Sequence, residues 1–187
     1  MILAEKKENY AKLGFRCGLE IHQRIDTPKL FCNCYADPAK PITEGNLTVT
    51  RQLRAAAGEG GVADAAAVFE AGSKRTFEYQ CGGKTSCLVE ADEEPPHLLN
   101  KDALHVALQV AKTLNAKLLS EIHVMRKTIV DGSAVSGFQR TALLALNGEL
   151  ETKQGKVGIQ AIAVEEESSG IIEKEAEKIL WRKRVSN

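Results

Sequence analysis

Aromatic residues make up only 5% of the 187-residue chain, and there is a single tryptophan. Faces on which unstacked bases could lie are therefore scarce, which argues against a dedicated single-strand-binding surface. Charge of one sign is equally lacking, because 25 Lys and Arg are matched by 25 Asp and Glu. A domain built to grip a phosphate backbone is usually basic, so any nucleic acid handled here is expected to be held mainly by surfaces elsewhere. No apolar run approaches the roughly 20 residues that span a bilayer. The first nine residues, MILAEKKEN, read as the start of a charged helix and not as a secretory signal. Five cysteines are an odd number, which excludes a fully paired disulfide framework within the chain. A reducing cytoplasm suits them better, with the thiols as core residues or metal ligands.

What is present suits a globular domain: 43% of residues are hydrophobic and 27% charged. The length allows one domain or one and a half, with a real core. In residues 13–25, Leu13, Phe15, Cys17, Leu19, Ile21 and Ile25 fall on odd positions, and Arg16, Glu20, His22 and Arg24 on even ones. This alternation predicts a core strand with one buried face, Cys17 among the packed residues. Glu20 and His22 would then sit about 7 Å apart on the polar face. Turn chemistry at 26–29 leads into Leu30-Phe31-Cys32-Asn33-Cys34-Tyr35, and Pro38 and Pro41 mark a loop. Helices are expected over 48–57 and 62–71, separated by the glycines of 58–61. A strand pair is expected over 75–80 and 86–91.

Pro95 and Pro96 make 92–97 a loop, after which Asn100 caps a helix reaching about residue 115, with Leu104, Leu108, Ala111 and Leu114 at helical spacing. Residues 120–130 read as a strand, 131–137 as a loop, and 138–150 as strand-like or mixed. A buried strand is expected over 157–164, leading into Glu165-Glu166-Glu167, and an amphipathic helix over 171–184. The mixed order of strands and helices predicts an α+β fold, a mixed or antiparallel sheet with flanking helices.

Four groups of residues carry candidate chemistry. Glu20, His22, Glu165 and Glu166 form an oxygen-rich set with one imidazole, which suits Mg²⁺ or Mn²⁺ better than zinc. The alternative is surface ion pairs and a solvated acidic turn. Cys32, Cys34, Cys81 and Cys87 could supply four thiolates to a structural Zn²⁺, although neither pair has the CxxC spacing of a zinc ribbon. Unrelated core cysteines are the other reading. Arg126 and Lys127, followed by the glycine- and serine-bearing loop 131–137, could hold a phosphate through backbone N–H groups and charge. No Gly-Lys-Ser/Thr follows, so this is not a P-loop and an ordinary hairpin remains open. The four carboxylates within 90–94 mark either a solvated loop or a rigid one gripping a cation or a basic segment.

Taken together, these strings resemble a known family. GLEIHQ at 18–23 with KLFCNC at 29–34 is similar to the start of the tRNA-dependent amidotransferase B/E (GatB/GatE) family. CLVEADEEPPH at 87–97, HVMRK at 123–127 and DGSAVSGFQRT at 131–141 are similar to its archaeal E-type branch. The resemblance runs in order from about Leu13 to Glu167. It implies a catalytic cradle similar in architecture to glutamine synthetase and guanido kinases. The implied activity is an ATP-dependent carbon–nitrogen ligation. ATP phosphorylates the glutamyl group of Glu-tRNA(Gln), and ammonia then displaces phosphate to give Gln-tRNA(Gln). The ammonia would come through a channel from a separate amidohydrolase partner, of the D type in archaea.

The same resemblance implies that Glu20 and His22 hold Mg²⁺ or Mn²⁺ at the phosphorylation site, that one member of the Glu165–Glu166 pair is a further ligand or a channel residue, and that Lys127 lines the channel. Arg126, Ser136, Gln139 and Arg140 would belong to the strand and loop that form the active site. The family more often has Glu-Glu-Asp, then Ala and a basic residue, where this chain has Glu165-Glu166-Glu167-Ser168-Ser169-Gly170. A CPVC-type cysteine pair found in some B-type relatives is absent, and Cys81 and Cys87 would have to substitute for it. The family continues beyond this length, so residues 1–187 are expected to be the N-terminal part of the cradle. The rest of the cradle, an insertion domain and the tRNA-binding tail would be supplied by further sequence. Two other readings are a non-enzymatic metal-binding scaffold and an ATP-dependent small-molecule kinase or ligase on the same fold.

Overall fold

Backbone pairing in this chain follows long-range partners more than local propensity. The computed structural model describes residues 12–35, 47–55, 57–58, 60–82, 85–174 and 178–182, with side chains described as far as residue 171. The expectations for the first nine residues and for the Pro38–Pro41 loop lie outside the described residues.

Two sheets form. The first contains β1 (Leu47–Gln52), β2 (Thr76–Cys81), β7 (Gly170–Lys174) and β8 (Lys178–Arg182), in the order β1-β2-β8-β7. β1 and β2 are antiparallel, from Leu47 opposite Cys81 to Gln52 opposite Thr76, and β8 runs parallel to β2. The second sheet is antiparallel throughout. Its centre is the long β5 (Phe138–Thr152), which pairs with β6 (Gly155–Glu165). β3 (Lys117–Leu118) and β4 (Val124–Thr128) also pair with β5. Ala142 pairs with both Val124 and Val164, so β4 and β6 lie on opposite edges of β5. The fold is α+β, as expected.

Two helices are described: α1 (Ala65–Gly72) and α2 (Lys101–Thr113). The Asp64 side chain accepts from Ala67 N–H to cap α1, and Asn100 accepts from Asp102 and Ala103 N–H to cap α2. Ala103, Ala107 and Ala111 form the buried stripe of α2, where small side chains permit close approach to the sheet. Leu104 and Leu108 pack at the margin of a core formed by Leu30, Phe31, Ala142, Leu144 and Val164. A second cluster joins Phe77, Tyr79 and Cys81 of β2 to Val49, Leu53 and Val135.

Several expectations are corrected. Residues 13–25 form no strand, and their apolar positions from Leu13 to Ile21 are exposed, Leu19 at 93% and Ile21 at 84%, while Ile25 packs at the margin of the core. Cys17 is exposed as well, not packed. A period-2 pattern becomes a strand only beside an edge that takes its N–H and C=O groups, and no described strand pairs with this segment. The helix expected over 48–57 is β1, where β-branched Thr48, Val49 and Thr50 pair with β2. Residues 88–92 form turns and not a second hairpin strand, with Ala91 N–H bonded to the Cys87 carbonyl. β6 is a strand, but of its expected buried positions only Val164 is buried, because the strand lies at a sheet edge. The helix expected over 171–184 is replaced by β7 and β8, which complete the first sheet through β2. Residues 175–177 and 183–184 of that span lie outside the described residues.

Candidate active site

Register places the candidate residues. On β5, Gln139 lies opposite Lys127 of β4, and Thr141 lies opposite Glu165 of β6. Alternation puts these four on one face of the sheet, and Arg126, Phe138 and Arg140 on the other. On the first face, the Glu165 Oε2 accepts from Lys127 Nζ at 2.7 Å and from Thr141 Oγ1 at 2.8 Å. On the second face, the Arg140 guanidinium stands 5.4 Å from the Phe138 ring centre and 5.6 Å from that of Phe31. Arg126 stands 5.6 Å from the Phe138 ring centre. Such stacks hold guanidinium groups by ring quadrupoles without consuming their N–H donors.

The acidic run that ends β6 is matched residue by residue with cations. Glu165 takes Lys127. Glu166 takes Arg140 twice, Oε2 from its backbone N–H and Oε1 from Nη1, each at 2.9 Å. Glu167 Oε1 meets Arg24 Nη2 at 3.1 Å. Gln139 Nε2 donates to the Glu166 carbonyl at 2.6 Å, fixing the backbone of the run. Three consecutive carboxylates would repel one another, and a cation from a different segment offsets each.

Glu20 and His22 stand apart from this cluster. They contact each other at 3.3 Å, with side chains 76% and 71% exposed. The Arg24–Glu167 pair fastens the end of their segment to the acidic run, so the expected four-donor set is linked but not assembled.

The loop 131–137 is rigidly built. Asp131 Oδ1 accepts from Ser133 N–H at 2.9 Å and from Ser133 Oγ at 2.6 Å, and Ser136 Oγ donates to the Phe138 carbonyl at 2.9 Å. These hydroxyl protons serve the loop itself, as in an ordinary hairpin connection. Gly137 N–H closes a turn onto the Ala134 carbonyl. Between this loop, the 89–92 turn and the acidic run lies a small cleft lined by Glu90, Ser136, Gln139, Arg140, Glu166 and Glu167.

Beneath the 89–92 turn, the thiols of Cys32, Cys34 and Cys87 lie within 4.8 Å of one another. Cys81 does not join them. It is buried on β2, its Sγ 3.9 Å from the Tyr79 carbonyl oxygen. Burial raises the Cys32 thiol to about 11, with Glu90 and Cys87 adding to the rise. Burial also pushes Cys34 well above the ordinary thiol range, reinforced by its hydrogen bond with Cys87. Sulfur ligands about 2.3 Å from a tetrahedral zinc lie roughly 3.8 Å apart, so the three thiols fit such an ion with modest contraction.

Residue-type reasoning missed Lys29 and Thr141, and gave Glu90, Arg24 and Glu167 no partners. Lys29 Nζ donates at 2.6 Å both to Glu90 Oε2 and to the Thr85 carbonyl. Glu93 pairs with Arg51. The acidic loop therefore grips two cations of the chain itself, Lys29 and Arg51. The carboxylate density of 90–94 was the available signal, but no sequence spacing points to Lys29.

An α+β domain whose acidic run takes cations from three different segments beside a small cleft is the class that fold and site define. The sequence matches the family model of the GatB/GatE catalytic domain over residues 15–185, and the chain belongs to that family. It is 48% identical over 174 residues to the E-type subunit of glutamyl-tRNA(Gln) amidotransferase from Saccharolobus solfataricus, covering 92% of this chain and 27% of that protein. The E-type subunit from Aeropyrum pernix is 45% identical over 175 residues, covering 93% of this chain and 27% of the relative. That from Methanosarcina barkeri is 45% identical over 177 residues, 94% and 28% respectively. The chain thus spans a little over a quarter of the length of these curated relatives. Among the described residues no helix is long and apolar enough to cross a membrane.

Proposed function

We propose that residues 1–187 form the N-terminal part of the catalytic cradle of a tRNA-dependent amidotransferase, similar in architecture to glutamine synthetase and guanido kinases. The whole enzyme would phosphorylate the glutamyl group of Glu-tRNA(Gln) with ATP and amidate it with ammonia to Gln-tRNA(Gln). Its setting would be cytoplasmic. Its partner would be an ammonia-generating amidohydrolase of the D type, and further sequence would complete the cradle and grip the tRNA. The observation that carries this reading is the acid–base array at the end of β6, in a chain matched to the GatB/GatE catalytic domain over 15–185.

The donor chemistry of Glu20, His22, Glu165 and Glu166 suits a hard divalent cation such as Mg²⁺. Arg24 on Glu167 keeps the first two residues tethered to the same end of β6. Bound there, the cation would offset charge on ATP phosphates and on the glutamyl carboxylate. Lys127, hydrogen-bonded to Glu165, is suited to hold or pass a proton where ammonia arrives. Arg140 and Gln139 hold Glu166 in place at the cleft, and Arg126, stacked on Phe138, offers guanidinium donors to an anion. Cys32, Cys34 and Cys87 would hold a structural Zn²⁺ that fastens the turn carrying Glu90.

The test is a chimaera of the Saccharolobus solfataricus relative in which the matching segment is replaced by residues 15–185, assayed with its amidohydrolase partner. Retained formation of Gln-tRNA(Gln), lost again on Glu165→Ala, is the expected result. A folded chimaera that binds its partner but makes no product would overturn the reading.

A further inference from the structure

Lys29 and Glu90 form the most deeply buried ion pair among the described residues, with side chains 5% and 9% exposed. Removing two charges from water is costly, and apolar side chains of similar size often serve stability as well. Position supplies a reason for keeping the pair. The Lys29 backbone N–H donates to the Cys34 carbonyl at 3.2 Å. Its ammonium binds the Thr85 carbonyl, two residues before Cys87, and the Glu90 carboxylate, three residues after it. One residue, through its backbone and its side chain, thus fastens the two turns that bring the three thiols together.

The second Glu90 oxygen, Oε1, faces Cys32 Sγ at 3.9 Å. Glu90 also lines the cleft with Ser136, Arg140 and Glu166. Three thiolates around a divalent ion carry one net negative charge, and an uncompensated carboxylate beside them would oppose loading. The Lys29 ammonium, 2.6 Å from that carboxylate, supplies the compensation.

We propose that Lys29, acting through Glu90, is the positioning residue of a thiolate metal site at Cys32, Cys34 and Cys87, and that Glu90 is the wall this site shares with the cleft. The inference rests on the reading of the three thiols as metal ligands. Outer groups that orient metal ligands govern affinity about tenfold to a hundredfold, and that is the effect assigned to Lys29.

The experiment is titration of the reduced 187-residue protein with Co²⁺ against a competing chelator, following thiolate-to-cobalt absorption, for wild type, Lys29→Met and Lys29→Met/Glu90→Gln. Circular dichroism of each variant establishes that it is folded. Lys29→Met should bind about tenfold or more weakly. The double variant should recover part of that loss, because a neutral amide replaces the bare carboxylate beside Cys32. Equal affinity in all three folded proteins overturns the proposal while leaving the metal site intact. No cobalt–thiolate absorption in wild type removes the metal reading itself, and this inference with it. If Lys29→Met does not fold, the double variant decides: weaker binding than wild type supports the proposal, and equal binding overturns it.

Discussion

The Tyr79 hydroxyl donates to the Gly132 carbonyl at 2.7 Å, joining the first sheet to the loop that borders the cleft. Tyr79 is 1% exposed, and its neighbour Phe77 lies against the same glycine. Ser169 N–H adds a bond to the Ser133 carbonyl from the far end of the acidic run. The 131–137 loop is therefore positioned by β2 and by residues after β6 as well as by its own turn. Ser136, Gln139 and Arg140 inherit their placement from that anchoring.

Gly132 tolerates no side chain. Its φ is +84°, and an added Cβ would fall 2.1 to 2.5 Å from Phe77 ring atoms. Overpacking and left-handed strain together predict that Gly132→Ala destabilises by about 2–4 kcal/mol. Urea denaturation should show a lower midpoint with an unchanged slope, and a midpoint within error of wild type would refute the anchoring.

Local signals made α2 legible: Asn100 as cap, leucines and alanines at helical spacing, and prolines before it. The 76–81 strand and the 131–137 loop were legible for similar reasons. Alanine-rich 55–57 drew the 48–57 segment towards helix, and the Glu- and Lys-rich 171–184 stretch did the same. In both cases pairing with β2 decided the outcome, for β8 across about a hundred residues of sequence, where propensity carries little information. The odd–even pattern of 13–25 was real, yet a pattern names a face and not a partner. At the site, the run 165–167 and Lys127 could be picked out by type, whereas the pairing of Glu165 with Lys127 and of Glu166 with Arg140 depended on strand register, and that of Glu167 with Arg24 on a long-range contact.

The same anchoring gives Tyr79 a distinctive alkaline behaviour. Burial, with Asp131 nearby, pushes its phenol well above the ordinary 10.0. A pKa raised in the folded state favours the protonated form. The associated stability is fully present below about pH 10 and is lost as pH rises through the folded value. Ultraviolet titration should therefore show Tyr79 ionising only at alkalinity well beyond the ordinary phenol range, or on unfolding. If Tyr79→Phe leaves the alkaline end of the curve unchanged, the assignment fails. The same variant should also cost about 1–2 kcal/mol at neutral pH, because the buried Gly132 carbonyl loses its donor.

Glu165 and Glu166 should differ in their contribution to stability. The Lys127 side chain is 46% exposed, so Glu165→Gln removes a screened pair and should cost under about 1 kcal/mol. Arg140 is 11% exposed and bonded to Glu166 through both backbone and guanidinium, so Glu166→Gln should cost more, about 2–3 kcal/mol. Thermal or chemical denaturation of the two variants checks the order. On the role proposed above for Lys127 and Glu165, the reverse order is expected for Gln-tRNA(Gln) formation by the chimaera.

Glu20 and His22 allow a clean test of the divalent-cation reading because they are so exposed. Their mutual contact at 3.3 Å is open to solvent, so replacing both should scarcely change folding. A change in metal binding would then report ligation and not collapse. Mn²⁺ titrated into wild type should bind more tightly in the presence of a non-hydrolysable ATP analogue, since phosphates supply further oxygen ligands. In the Glu20→Ala/His22→Ala variant that enhancement should disappear. Cation and nucleotide binding equal in the two proteins would mean that neither residue is a ligand. Arg24 would then serve only to pin an exposed segment to Glu167. Arg24→Ala tests the tether separately, because it leaves both donors in place and should weaken the nucleotide-dependent binding without abolishing it.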